Sequence, residues 1–182
     1  MAAQQTSPPI PLSPDEKSAQ VMIYTPVSVY WGSVVVKQMI RVSTWLRTNT
    51  VPDRIHLLHA RALVTSGSTG ARAPLSFAEL HVPLAQILAF HLIPPAQDPL
   101  DFDATEPNRK MEPVNALVGS FFIKGSIRIS SSGNLKKFLE VNRESFTALY
   151  DAEISNLTTP AMGALAVPFV LVRQETTVFT TR

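Results

Sequence analysis

The chain has 182 residues, of which 45% are hydrophobic and 16% charged, and its formal net charge is +2. This composition is typical of a globular protein with a buried core, and so small a charge gives no strong field for attracting nucleic acid or an anionic membrane. The chain has no cysteine, which excludes disulfides, thiolate zinc sites, iron–sulfur ligation and cysteine nucleophiles.

The N-terminal segment, residues 1–20, is rich in proline, serine, glutamine and alanine. Because proline opposes both helix and central strand, we predict a flexible tail. The segment has neither the basic start nor the apolar run of a secretory signal. No stretch of the chain is apolar enough to span a bilayer. We therefore expect a cytoplasmic protein.

Strand-like alternation begins at residue 21, and Gly32 interrupts it, which indicates a bulge or tight reversal between two strands. A short helix is predicted next, with Ser43 near its N-cap and Asn49 ending it in a left-handed conformation. Three more strands then complete a first unit over residues 21–93. Its glycine- and serine-rich stretch, 66–70, is predicted to be the most flexible loop.

Residues 94–114 are predicted to be a linker because they combine several prolines with acidic residues and few apolar anchors. A second unit, 115–182, then repeats the pattern, with Gly125 as the break between two strands. Its helix is predicted to be N-capped by Ser132 or Asn134.

The two units align without a gap from Gly32 through the first helix and from Gly125 through the second, and four of these 18 positions are identical. The matches fall on a turn glycine, apolar strand positions, helix anchors and a terminal asparagine, which are the positions that define a backbone path. The predicted structural anchors of this repeat are Gly32, Trp45, Leu46, Asn49, Gly125, Phe138, Leu139 and Asn142.

Each unit therefore reads as strand, strand, short helix, strand, strand, strand. Such short connections favour antiparallel neighbours, and closing a small sheet into a barrel removes its exposed edges. We predict a mainly β protein of two similar five-stranded antiparallel barrel-like units. Each unit has one short helix, and the two pack as a pseudo-dimer, since each is small enough to be marginal alone.

A glycine, apolar strand alternation and the sequence Arg-Val-Ser-Thr-Trp-Leu-Arg-Thr-Asn at 41–49 resemble an uncharacterised bacterial family of small β-rich domains of unknown function. That family carries a strand and glycine followed by an Arg-hydrophobic-Ser-x-x-Leu-Asn segment. The resemblance covers both units, as a tandem pair, and implies a fold without implying any chemistry.

No catalytic, cofactor-binding or metal-binding residues are predicted. His56 and His59 are three apart, so on a strand they point to opposite faces, and the second unit contains no histidine. No serine lies in a Gly-x-Ser-x-Gly motif, and the 66–70 stretch lacks the Gly-Lys-Ser/Thr ending of a phosphate loop. The acids at 98, 101 and 103 lack the glycine and distal glutamate of a calcium loop.

The sequence favours a non-enzymatic protein-interaction or assembly module that acts through a protein partner or self-association. The alternative is a small-barrel binder of single-stranded nucleic acid or nucleotides, with aromatic residues on a sheet face flanked by cations. The aromatic candidates are Tyr24, Tyr30, Trp31, Phe121 and Phe122. The candidate contact surface for a partner consists of Arg41, Arg47, Lys136, Lys137 and Arg143.

Overall fold

The computed structural model describes residues 9–65 and 73–181, in which every strand belongs to one antiparallel β-sheet. The predicted loop 66–70 lies outside the described residues. The strands are β1 (Glu16–Tyr24), β2 (Ser28–Lys37), β3 (Arg54–Val64), β4 (Leu75–Pro83), β5 (Ala89–Leu92), β6 (Arg109–Val118), β7 (Phe121–Ser130), β8 (Phe146–Asn156), β9 (Ala164–Arg173) and β10 (Thr177–Thr181). One α-helix, α1 (Leu135–Val141), is joined by 3₁₀ helices at Val42–Arg47, Leu84–Gln86, Pro160–Met162 and Gln174–Thr176.

The strands form one ten-stranded sheet in the order β10-β6-β7-β8-β9-β5-β1-β2-β3-β4. Both halves of this sheet have the same internal order, because the fifth strand of each half lies beside its first strand and the other strands follow in sequence. A helix joins the second strand to the third in each half. The mainly β class is confirmed.

The sheet is open, with β4 and β10 at its edges. The predicted closure of each unit into a barrel is therefore not seen in the described residues. The physical reason is that β5 pairs antiparallel with β9 of the other half. This pairing satisfies the strand edges that barrel closure would otherwise have satisfied.

Two clusters of buried side chains lie along the sheet, one for each half. The first core gathers apolar residues of β1 to β5 around Trp45 and Leu46. The second core gathers those of β6 to β9 around Leu135, with Phe138 and Leu139 packed against it. The helix anchors of each half therefore pack against the core of their own half.

Each core also takes residues from the other half. Phe146 and Leu171 belong to the first core, whereas Tyr24 and Ala89 belong to the second. Successive residues of a strand point to opposite faces of the sheet, so the strands at the junction bury both faces. All four residues of β5 are buried.

Arg173 on β9 also links the second half to the first. Its guanidinium donates hydrogen bonds to the carbonyl oxygens of Leu84 and of Ile87, the latter at 2.7 Å from Nε. The same guanidinium lies 4.6 Å from the ring centre of Phe146. Stacking on an aromatic face while donating several hydrogen bonds is a geometry specific to arginine.

Gly32 and Gly125 lie opposite irregularities in the neighbouring strand. The register of β2 with β3 shifts beside Gly32, and that of β7 with β8 shifts beside Gly125. In each partner strand one residue has a left-handed backbone, His59 or Asp151, both with φ of 48°. The predicted break between two strands at Gly32 and at Gly125 is wrong, because each glycine lies inside one continuous strand, β2 or β7. What the structure does have at each glycine is the bulge, a register shift against the neighbouring strand.

The helix ends differ from the prediction. Ser43 lies inside the first 3₁₀ helix, whose N-cap is Arg41, and the helix ends at Arg47. The predicted left-handed Asn49 is wrong, since His59 and Asp151 are the non-glycine residues with positive φ in the described part of the chain. Thr48 ends the helix by donating its hydroxyl hydrogen to the carbonyl of Trp45.

In the second half, Asn134 is the N-cap of α1, as predicted, and accepts a hydrogen bond from the backbone N–H of Lys137 at 2.9 Å. Asn142 follows the helix with a φ of −69°. Its amide donates to Gln174 at 2.6 Å, which joins the end of α1 to the turn before β10.

Strand formation extends beyond the predicted units at both N-terminal ends. β1 begins at Glu16, inside the predicted 1–20 tail, and β6 begins at Arg109, inside the predicted 94–114 linker. Residues 93–108 contain neither strand nor helix. Within the described ranges, no helix is long and apolar enough to cross a membrane.

Substitution of Gly32 by alanine should destabilise the protein more than the same change at Gly125. A Cβ at Gly32 would lie 2.8 Å from the carbonyl oxygen of Leu58, whereas one at Gly125 would lie 3.2 Å from that of Tyr150. We expect a loss of unfolding free energy of about 2–3 kcal/mol for Gly32→Ala and about 1 kcal/mol for Gly125→Ala, measured by urea denaturation. Equal losses would contradict the difference in backbone approach.

Candidate functional site

A groove of about 270 Å³ lies between the two halves of the sheet. The first half contributes residues of β1 to β3, and the second half contributes residues of β7 to β9 and of the 3₁₀ helix before β9. The groove is lined by Met22, Tyr24, Val29, Trp31, Leu63, Phe121, Ile154, Ser155, Asn156, Met162, Gly163, Ala164 and Leu165. No charged residue belongs to this lining.

Aromatic and thioether side chains take five of the thirteen lining positions of the groove. Tyr24 and Phe121 meet edge to face with ring centres 4.8 Å apart, so one wall joins the two halves directly. Met162 is 41% exposed at the opening, and Met22 lines the groove nearby. Methionine side chains are flexible and polarizable, so they adapt to apolar groups of different shapes.

Beneath this wall, Tyr24 contacts the buried His91. The Tyr24 hydroxyl oxygen lies 2.9 Å from Nε2 of His91, and Nδ1 of His91 lies 2.7 Å from the carbonyl oxygen of Leu92. Because that carbonyl can only accept, Nδ1 carries the hydrogen and Nε2 accepts from the tyrosine hydroxyl. Burial lowers the pKa of His91 to about 4 and raises the pKa of Tyr24.

The segment 93–108 is held to the folded body by a clamp of charged and aromatic groups. Asp101 accepts hydrogen bonds from the Tyr150 hydroxyl at 2.7 Å and from Arg47 at 3.2 Å. Arg47 also forms an ion pair with Glu144 at 2.6 Å. Burial, followed by the hydrogen bond to Asp101, raises the pKa of Tyr150. The Asp101 side chain is only 13% exposed, so it is a structural contact rather than a free carboxylate.

Further contacts extend the clamp on both sides. Asp98 accepts a hydrogen bond from the backbone N–H of Ser43 at 2.8 Å and so serves the start of the first 3₁₀ helix. Arg128 pairs with Glu106 at 2.6 Å and lies 4.4 Å from the ring centre of Phe102.

Two of the cations predicted to form one contact surface serve contacts within the chain, and three are exposed. Arg41 donates to the carbonyl of Leu100, and Arg47 belongs to the clamp, so both serve contacts within the chain. Lys136 and Lys137 are exposed on α1, and Arg143 is exposed just after it.

The predicted aromatic platform is also divided. Tyr24, Trp31 and Phe121 pack in or against the second core, whereas Tyr30 packs against the first. Arg47 and Arg128 do line a common cleft of about 190 Å³. Both already pair with carboxylates in this clamp.

Sequence spacing did not identify the groove, because its walls come from residues far apart in the chain. The alternation of β1 does indicate that Met22 and Tyr24 share a face. No local signal indicates that this face meets Phe121. His56 is likewise brought near a residue distant in sequence, His81, instead of His59.

Replacing Asp101 by alanine should loosen the 93–108 segment, because Tyr150 and Arg47 both lose their shared acceptor. Hydrogen bonds to charged groups contribute about 1.5–3 kcal/mol, so we expect cleavage within this segment to be about tenfold faster in limited proteolysis. Asp53→Ala, at an exposed aspartate, is the matched control. Unchanged cleavage of the Asp101 variant would contradict the clamp.

His91 should make the protein less stable in mild acid. In the unfolded chain it binds a proton from about pH 6.5 downwards, whereas the folded protein resists protonation until about pH 4. The unfolding free energy should therefore fall as pH decreases from 6.5 to 4. We expect this fall to be about 3 kcal/mol smaller in His91→Gln, measured by urea denaturation at each pH.

A substitution that removes no titratable group provides the control for this effect. Met39→Gln, at a side chain that is 89% exposed, should leave the pH dependence of the wild-type protein unchanged. An identical pH dependence in the wild-type and His91→Gln proteins would show that His91 titrates normally in the folded state.

Comparison with models of known protein families, with curated proteins and with solved structures finds no match to this chain. The resemblance to an uncharacterised bacterial family therefore stays a prediction.

Proposed function

We propose that this protein is a non-enzymatic interaction module that binds an apolar side chain of a partner protein in the groove between its two halves. The uncharged groove lining is the observation that carries this proposal. It favours a neutral, apolar ligand group, because a buried charge without a partner is costly.

The size of the groove favours a protein partner over a cofactor. Pockets for drug-sized ligands and cofactors usually measure about 300–1,000 Å³, and this groove, at about 270 Å³, is smaller. One or two large side chains would fill it.

We also propose that the protein is a duplicated unit whose copies pack as an internal pseudo-dimer. The shared strand order, the two glycines beside register shifts and the two left-handed residues support this. In this view the groove exists because two copies meet, and neither copy alone would form it. Self-association through exposed strand edges is a second route to assembly that the same fold allows.

The absence of catalysis is part of the proposal. His91, whose lowered pKa would otherwise mark it as a candidate acid or base, is fully buried. Both of its ring nitrogens are occupied by Tyr24 and Leu92. We assign this pair to structure.

Binding of single-stranded nucleic acid or nucleotides is not favoured by a specific observation. It would need exposed aromatic faces beside free cations. Tyr24 and Phe121 are only 3% and 2% exposed, and Arg47 is committed to Asp101 and Glu144.

Peptides selected from a random phage-displayed library against the full chain should carry bulky aliphatic or aromatic residues. Met162→Glu should weaken the selected peptides at least tenfold in fluorescence anisotropy, because it places a charge in the groove. Met39→Glu is the matched control, since Met39 is 89% exposed and does not line the groove. Its affinity should equal that of the wild-type protein.

Equal affinity of the Met162 and Met39 variants would overturn the groove as the binding site. Binding of an oligonucleotide at low salt, abolished by Arg47→Ala and Lys137→Ala, would instead support the nucleic-acid alternative. A Met162-dependent dimer in analytical ultracentrifugation would identify a second copy as the occupant.

A further inference from the structure

Two histidines and a glutamate meet on the outer edge of the first half. His56 on β3 and His81 on β4 are directly opposite each other in the antiparallel register. Glu79 precedes His81 by two positions, so both side chains lie on the same face of β4. One ligand atom from each of the three residues lies within 4.8 Å of the other two.

The side chains already contact one another. The imidazole rings of His56 and His81 are stacked, with ring centres 4.4 Å apart and planes 9° from parallel. Nε2 of His56 lies 3.1 Å from a carboxylate oxygen of Glu79. Three potential ligands of two chemical types therefore converge on one small area.

This area is open to solvent. All three residues are exposed, and among the described strands β4 is an edge strand with no neighbour on its outer side. An ion can reach the cluster from solvent, and water can complete its coordination.

The corresponding place in the second half shows that the fold does not require polar residues there. In the first half, His56 of β3 is opposite His81 of β4, and Leu58 is opposite Glu79. The equivalent pairs in the second half are Ala148 with Leu171 and Tyr150 with Phe169, between β8 and β9. By this register, the cluster residues correspond to Ala148, Phe169 and Leu171. All three pack in or against the first core.

The equivalent positions of the two halves thus differ. On β8 and β9 they are apolar and packed at the junction, whereas on β3 and β4 they are two histidines and a glutamate exposed to solvent. Solvent exposure explains why these positions are polar. It does not explain why the polar groups are two imidazoles and a carboxylate placed within ligand distance.

From this geometry we infer that His56, Glu79 and His81 form a binding site for a divalent transition-metal ion such as zinc. Imidazole and carboxylate are ligands of zinc, which takes three protein ligands and a water in open sites. Tetrahedral coordination places donor atoms about 3.3 Å apart, so small rotations of these exposed side chains bring the three atoms into range. This site is independent of the proposed groove.

Titration of the tag-free full chain with Zn²⁺ in a calorimeter tests the site. We expect one ion per chain. His56→Gln and His81→Gln should each weaken binding at least tenfold, because each removes one of three protein ligands, and Glu79→Gln should weaken it less. Mg²⁺ should not compete, because it prefers oxygen ligands in octahedral geometry.

The matched control is His59→Asn, which removes a histidine three positions from His56 but outside the cluster. Asparagine tolerates the left-handed backbone that His59 adopts, so the fold should be kept and zinc affinity should equal that of the wild-type protein. Zn²⁺ should also shift the imidazole NMR signals of His56 and His81 and leave that of His91 unchanged.

Three outcomes would overturn the inference. The first is the absence of any zinc binding by the wild-type chain. The second is undiminished binding by the His56→Gln/His81→Gln double variant, with folding checked by circular dichroism. The third is a loss of affinity in His59→Asn as large as that in His56→Gln.

Discussion

The antiparallel pairing of β5 with β9 is the contact on which the rest of the structure depends. It joins two five-stranded halves into one sheet in which β4 and β10 are the edges of the part the structure describes. Because the strands at this junction bury both faces, each half contributes residues to the core of the other. A half on its own would expose those residues to water, at about 25 cal/mol for each Å² of apolar surface. The two halves therefore share one sheet and bury part of each other's core.

The proposed groove and the proposed metal site are related to the β5–β9 junction in different ways. The groove forms where residues of β1 to β3 meet residues of β7 to β9, so it is a product of the junction. The His56–Glu79–His81 cluster occupies the surface of the first half that corresponds to the junction surface of the second. Packing at the junction requires apolar side chains on β8 and β9. The equivalent positions on β3 and β4 face solvent and can therefore be polar.

The clamp around Asp101 gives the proline-rich segment a structural role. Composition predicts that this segment is a linker, and the chain between β5 and β6 indeed forms neither strand nor helix. However, Tyr150, Arg47 and Arg128 hold it against both halves. Of the acidic residues that resemble an incomplete calcium loop, Asp101 accepts hydrogen bonds from Arg47 and Tyr150, which no local spacing rule reveals. Asp98 accepts from the backbone N–H of Ser43, and the Asp103 carboxylate accepts from Thr105.

The sequence by itself determined the mainly β class and the order of strands and helix in each half, because these follow from local alternation and turn chemistry. It could not decide whether each half closes or pairs with its neighbour, since an unpaired strand edge is satisfied equally well by either partner. The groove, the buried Tyr24–His91 pair and the opposition of His56 to His81 likewise required the tertiary structure. Each brings together residues whose separation along the chain carries no information about their distance in space, and only the register of paired strands places them side by side.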